Sequence, residues 1–394
     1  MAVGAVLLAV GPFAAWGHGT TFAGSPAAIP SAVPTSASAL PLVAPDAFYA
    51  AGGPVAAGPS GEILASIELV APPGARKWAV IYRSTSIDGS PVGVSGVILA
   101  PLEPATSPRP VLAVAHGTTG LADACAPSRD PAGGLDALVM PLVAQGVVVA
   151  ATDYEGLGTP GPHPYIVGAS EGRSVLDAAV AASSLPQAGA GSKVVLIGGS
   201  QGGHAVLWAS QLAATAAPDL DIVGTVAFAP AGDLAAVAGF ERSDLAGPPA
   251  WSSAVTLVDA WSHVYGLSTD VLSPTARALL PQLETACHVD VAAQPTVVDI
   301  RTLPDWAARL AENTPGAVGT KAPILYVQGT ADEQIPVESA RLEVARLCSI
   351  GDVVDYRELP GADHAGSASA SSLLAAASWA LDRLAGKPAD STCP

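Results

Sequence analysis

Residues Lys193–Ile197 (KVVLI) are a β-branched run that enters Gly198-Gly199-Ser200-Gln201-Gly202-Gly203. The chain then leaves through Gly203–Ala216, a helix-length stretch closed by Pro218. No other feature constrains the fold as strongly. A short apolar strand, a turn of small residues and a helix make one βα unit, and such a strand must be covered on both faces. Glycines on both sides of Ser200 let the backbone take strained angles there and leave the side chain uncrowded.

The same rhythm extends along the chain. Lys77–Ser84 and Val92–Ala100 flank Asp88-Gly89, a hairpin signal. Arg109–Ala115, Val147–Thr152 and Asp221–Ala229 read as further strands, and Leu135–Gln145 and Glu171–Ser184 as helices. Between Pro230 and Gly319 no strand pattern appears, and three of the seven tryptophans (Trp251, Trp261, Trp306) fall there. Alternation resumes with Ala322–Gln328, Val337–Leu347, Val353–Leu359 and Ser371–Leu384. The expected fold class is α/β, a mainly parallel sheet flanked by helices. Its core comprises residues 41–229 and 320–394, with a helical insertion over residues 230–319.

Composition narrows the partners. Lys+Arg number 17 against Asp+Glu 34 in 394 residues, a formal charge of −17. Such a chain repels phosphate backbones and anionic membranes, so nucleic acid is excluded as an expected partner. Residues 1–40 are apolar and then small and Pro-rich, which suits a signal segment followed by a cleavage zone, although no Lys or Arg precedes the apolar run. A bland apolar N-terminus is the alternative. No other run is long enough to span a membrane. The four cysteines Cys125, Cys287, Cys348 and Cys393 fit two disulfides of an exported protein, with three pairings open. Their spacing matches no zinc pattern, and neither metal nor cofactor is expected.

Two serines satisfy G-x-S-x-G: Ser200 and Ser170, the latter in GASEG. Ser200 has a strand before it and a helix after it, as a nucleophile on a sharp turn requires. Ser170 follows Pro160, Pro162 and Pro164, and reads as a helix N-cap with Glu171 in the first turn. In such a site an acid and then a histidine follow the serine. PILYVQGTAD runs a buried strand into Asp332, with Glu333 the alternative by one residue, and His364 is the one histidine beyond it. Ser200 is then the nucleophile, His364 the base and Asp332 its orienting acid. The backbone N–H of Gln201 is one expected oxyanion donor, and Thr118 in HGTTG the second. The HG pair could also be a plain turn. His204 is expected to pack beneath the turn. Asp153 and Tyr154, in DYEGLG, either shape the pocket or turn the chain.

These motifs, AHGTTG, DYEGLGTPGPHPY, EGRSVLDA, GGSQGG, GTADEQIP and PGADH, resemble the secretory lipase family, from roughly Pro45 to Pro394. The resemblance implies an α/β-hydrolase fold with a helical cap, secretion, carboxylic-ester hydrolysis, and disulfides Cys125–Cys287 and Cys348–Cys393. The insertion is rich in Trp, Leu and Val, and an apolar lining favours acyl chains by about 0.8 kcal/mol per buried methylene. An ester or lipid substrate with an apolar acyl group is therefore expected, with a lipid–water interface as a further partner. An acyltransferase would use the same triad, and so would an amidase or peptidase, although no cluster for a charged terminus is seen. Acyl-chain length and oligomeric state are left open.

Overall fold

The computed structural model describes residues 40–130 and 134–394. The expected signal segment therefore lies outside the described residues, apart from Leu40. Helix α1 (Asp46–Tyr49) and the short β1 (Gly53–Pro54) precede β2 (Ile63–Leu69), β3 (Ala75–Thr85) and β4 (Pro91–Pro101). The β3–β4 hairpin turns at the expected place: Gly89 has φ +85° and Asp88 Oδ1 accepts from the Ser90 N–H at 2.9 Å.

Then follow β5 (Arg109–Ala115), α2 (Leu135–Val143), β6 (Val148–Thr152), α3 (Gly168–Ser183), β7 (Ala190–Gly199), α4 (Gln201–Ala216) and β8 (Asp221–Phe228). After the insertion come β9 (Ile324–Gly329), α9 (Val337–Ser349), β10 (Val354–Leu359) and α10 (Ala370–Leu384). The sheet runs β10-β9-β8-β7-β5-β6-β4-β3-β2, with β1 on β4. Strands β5 to β10 pair in parallel, while β2, β3 and β4 form an antiparallel flank that joins at β6.

Period-two burial explains the layering. Val111 and Ala113 of β5, Val194 and Leu196 of β7, and Ile324 and Tyr326 of β9 face one core with α3, α4 and α9. Leu112, Val195, Leu325 and Val327 face the other core with α2 and α10. Fully buried side chains of this size each stabilise by about 1.5–3 kcal/mol, so the central strands need no polar face.

Between β8 and β9 lie α5 (Leu234–Phe240), α6 (Pro248–Tyr265), α7 (Pro274–Arg277) and α8 (Pro304–Asn313). Helix α6 starts on Pro248-Pro249 and ends at Gly266 in the left-handed conformation, the expected chemistry for its two ends. Its Trp261 is fully buried and stacks on Trp306 with ring centroids 5.8 Å apart. Trp261 Nε1 donates to the Tyr165 carbonyl at 3.0 Å, fastening the insertion to the segment before α3. Disulfide Cys125–Cys287 joins the loop after β5 to the insertion, and Cys348–Cys393 holds the C-terminus against α9.

One local reading changes. Helix α3 begins at Gly168, with Val167 as its N-cap, so Ser170 lies inside the first turn. The cap comes from afar: Asn313 Oδ1 accepts from the Gly168 N–H at 3.0 Å. Ser170 Oγ instead donates to Glu155 Oε2 at 2.5 Å.

Candidate active site

Ser200 sits between the end of β7 and the start of α4 with φ 55° and ψ −120°. A non-glycine residue held there costs of order 1–3 kcal/mol and persists only where its surroundings fix it. Those surroundings are visible. The Ser200 N–H donates to the Phe228 carbonyl at 2.8 Å, and its carbonyl accepts the first helical bond from His204 N at 3.1 Å. A Cβ at Gly202 would collide with the Ala115 carbonyl, and one at Gly198 with the Gly202 carbonyl. The glycines thus let α4 start directly against the end of β5. Gly117 passes beside the same turn, where a Cβ would lie 3.7 Å from Ser200 Cβ.

Further along the parallel sheet from β7, Asp332 follows β9 and His364 follows β10. His364 Nδ1 donates to Asp332 Oδ2 at 2.8 Å. The carboxylate is held from several sides: Gln328 Nε2 donates to Oδ2 at 2.9 Å, and the N–H groups of Gln334 and Ile335 donate to Oδ1 at 2.9 and 2.8 Å. With its Nδ1 proton so engaged, the imidazole presents Nε2 as its free basic atom. Glu333, the rival acid, makes a different contact, accepting from the His364 backbone N–H at 3.2 Å.

Gln201 is the first residue of α4, which puts its backbone N–H at the helix N-terminus beside Ser200. Its side chain is buried, with Nε2 donating to Glu171 Oε1 at 2.8 Å and to His163 Nε2 at 3.0 Å. His163 Nδ1 in turn donates to the Glu155 carbonyl at 2.8 Å, and burial pushes this ring down to about 4, so it is a neutral acceptor toward Gln201. Thr118 is exposed, and its Oγ1 lies 2.9 Å from Tyr165 Oη. His204 is wholly buried beneath the turn, bonded through Nδ1 to Glu171 Oε2 at 2.9 Å.

Asp153 and Tyr154 support the His116-Gly117 turn from behind. Tyr154, at φ 71°, donates from Oη to the His116 carbonyl at 2.9 Å. Asp153 is buried, accepting from Ser95 Oγ at 2.6 Å and Ser128 N at 2.9 Å, and burial pushes its carboxyl up.

A cavity of about 50 Å³ adjoins Ser200 and Gln201, bounded by Tyr165, Ile166, Leu234, Val237, Leu257, Leu310 and Ile335. Space of this size holds a few waters, which is room for a short acyl group. Ser253 and Gln334 are polar neighbours on the same lining, and one ionisable carboxyl joins them: Glu241, which burial pushes up to about 8. A larger depression of about 410 Å³ lies at the far end of the sheet, by Ser192 and Asp219, away from these residues.

Four residues escaped the sequence reading: Glu171, His163, Asn313 and Glu241. The first two stand in motifs already singled out, and the signal for Glu171 was an acidic residue in a first turn with no exposed face. Asn313 and Glu241 act across the insertion, and nothing local marks them.

A family model described as secretory lipase matches residues 134–392. A Mycobacterium tuberculosis protein named a probable inactive lipase is 28% identical over 340 residues, covering 78% of this chain and 74% of that protein. Lipase A of Moesziomyces aphidis is 30% identical over 203 residues, 48% of this chain and 43% of that protein. The crystal structure of Candida antarctica lipase A superimposes with a TM-score of 0.71 at 22% identity, over 85% of this chain and 84% of that one. This likeness gives the architecture its name, the α/β-hydrolase fold.

Proposed function

The chain belongs to the secretory lipase family, and from that premise we propose that it is an exported serine hydrolase that cleaves carboxylic esters with apolar acyl groups. The observation that carries the reading is the 2.8 Å bond from His364 Nδ1 to Asp332 Oδ2, on the same parallel sheet as the Ser200 turn. In this reading Ser200 Oγ attacks the ester carbonyl while His364 Nε2 takes its proton. The proton passes to the leaving alkoxide, which departs as the alcohol. Water, deprotonated by the same nitrogen, then releases the acyl group as the acid.

Asp332 orients the imidazole and stabilises its charged form. The Gln201 N–H serves the oxyanion, with Thr118 the candidate for the second donor. Losing one such donor typically costs about 10²–10³ in rate. The name of the mycobacterial relative concerns that protein; this chain carries Ser200, Asp332 and His364. Export agrees with both disulfides. Among the described residues no helix is long and apolar enough to cross a membrane.

The test is hydrolysis of an ester series from short acyl groups to emulsified triglyceride, with Ser200→Ala as the blank. Serine-dependent turnover is expected on the short esters, and turnover of the emulsion would add a cap that opens at a lipid–water interface. Hydrolysis that survives Ser200→Ala sinks the assignment.

A further inference from the structure

Glu241 caps the C-terminus of α5 inside the insertion and is 7% exposed. Its backbone is committed: N–H donates to the Val237 carbonyl at 3.0 Å, and its carbonyl accepts from Trp251 Nε1 at 3.2 Å. Its carboxyl is not. Among the described residues it has neither a hydrogen-bond partner nor a cation, and it lines the cavity that holds Ser200. The adjacent Arg242 is bound elsewhere, to the Thr296 carbonyl at 3.0 Å and Thr296 Oγ1 at 2.8 Å. Tyr165, on the same cavity wall, has its Oη engaged by Thr118 Oγ1.

A largely buried carboxyl without a partner is costly, and no protein group among the described residues offsets that cost. A ligand entering the cavity can. With no cation beside it and Ile166, Leu234, Val237 and Leu257 around the same cavity, burial favours its neutral form. A carboxylic acid offers one O–H donor and one carbonyl acceptor, and a hydroxyl group complements both. An ammonium would require the ionised form, which these surroundings penalise.

We propose that Glu241 is a specificity-determining residue that hydrogen-bonds a hydroxyl on a short acyl chain, so that esters of short hydroxy acids are the preferred substrates. This rests on the reading of Ser200 as nucleophile, because the cavity beside it is taken as the acyl site. The arrangement also explains why the cavity is mostly apolar elsewhere: the chain between ester and hydroxyl is hydrocarbon.

The test is binding in the Ser200→Ala background, with methyl 3-hydroxybutyrate, methyl butyrate and methyl 3-aminobutyrate titrated by saturation-transfer NMR. The hydroxy ester is expected to bind about tenfold tighter than the plain ester, the effect of one good hydrogen bond. Glu241→Leu should erase that ratio and Glu241→Gln should keep most of it. Glu241→Ala serves the same purpose as Glu241→Leu if the leucine variant does not fold. An unchanged ratio in the leucine or alanine variant overturns the proposal, and so does a preference for the amino ester. Because Ser200→Ala is the host, the result does not depend on turnover. Loss of the catalytic reading would show separately, as hydrolysis persisting without Ser200.

Discussion

Glu171 and His204 are bonded at 2.9 Å with neither side chain exposed, and the pair joins the Ser200 turn to the insertion. The carboxylate also accepts from the Ile166 N–H and from Gln201 Nε2, both at 2.8 Å. On its other side His204 Nε2 donates to the Asn313 carbonyl at 2.8 Å, at the end of α8. One carboxylate thus satisfies three donors that would otherwise be buried alone. Exchanging the carboxylate for an amide leaves a weaker acceptor and an N–H facing a donor. Glu171→Gln is expected to cost roughly 3 kcal/mol in urea unfolding, since hydrogen bonds to charged groups contribute about 1.5–3 kcal/mol each. Because the Gln201 side chain loses its anchor as well, kcat should fall while KM moves little. A variant as stable as the parent would mean that the network is not structural.

The choice between Asp332 and Glu333 has a sharp consequence. Asp332 holds the imidazole, whereas Glu333 touches only the His364 backbone. In Asp332→Asn the amide can present its N–H to Nδ1 and favour the wrong tautomer, and an analogous change in a serine protease lowers kcat by about 10⁴. We expect a loss of that order in ester hydrolysis, with an unchanged circular dichroism spectrum. Glu333→Gln should stay within a few-fold of the parent. The reverse ranking would move the acid by one residue.

Much of this arrangement was legible because it is local. Arg109–Ala115 is β5 to the residue, and the interruption after Pro230 is where strand formation stops until β9. The serine turn and Asp332 each stand after an apolar run, whereas β10 before His364 carries Asp355, Arg357 and Glu358, and His364 is singled out only as the one histidine after Asp332. Strand β2 was not anticipated: Ile63–Leu69 has no run of buried residues, and its pairing with β3 is what defines it. The start of α3 was misplaced because its cap, Asn313, lies far along the chain. Glu241 was missed for the same reason, as its meaning depends on which cavity the insertion closes.

Gly202 tests how tightly the turn is built. A Cβ there would strike the Ala115 carbonyl and approach the His116 carbonyl at 2.7 Å, and neither backbone group can swing aside as a flexible side chain could. Gly202→Ala is expected to destabilise by more than about 2 kcal/mol, within the range for overpacked positions, and to abolish turnover. Gly134→Ala is the control, since a Cβ there meets nothing within 4 Å and only its φ of +76° opposes it. Equal, small losses in the two variants would show that the α4–β5 contact yields.

Three strongly displaced carboxyls shape the pH dependence of stability above neutrality. Asp177, bonded by Ser84 Oγ and near Arg173, is pushed by burial up to about 7, and Glu241 and Glu343 each to about 8. Unfolded carboxyls titrate near about 4, so between that value and the folded one the native state holds protons that the unfolded state has lost. Their contribution is full in acid and disappears as pH rises through about 7 and about 8. His163, pushed down to about 4, acts in the opposite sense: its contribution is present above about 6.5 and lost as pH falls through the folded value. Above about pH 6.5 only the carboxyls still titrate differently, so the melting temperature should fall from about pH 6.5 to about pH 8.5. Calorimetry across that range checks it, and Glu241→Gln should flatten the decline. A rising melting temperature there would contradict all three displaced carboxyls.

The two disulfides should separate cleanly in function. Cys125–Cys287 closes a separation of 162 residues and Cys348–Cys393 one of 45. Chain entropy alone gives about 5 and about 4 kcal/mol for loops of these sizes, and measured losses typically run about 2–5 kcal/mol. The larger difference is positional. The Cys125–Cys287 bridge packs against the HGTTG loop, where a Cβ at Gly120 would lie 2.7 Å from Cys287 Cα. Cys348–Cys393 secures a terminus that already bonds β10, with Thr392 N donating to the Val354 carbonyl at 2.7 Å. Cys125→Ser with Cys287→Ser is therefore expected to lower both stability and kcat/KM, because the loop carrying Thr118 and the insertion are released together. Cys348→Ser with Cys393→Ser should lower stability and leave ester turnover near that of the parent. Activity and urea unfolding of the two double variants decide it: equal turnover in both would show that the bridge to the insertion has no part in shaping the site.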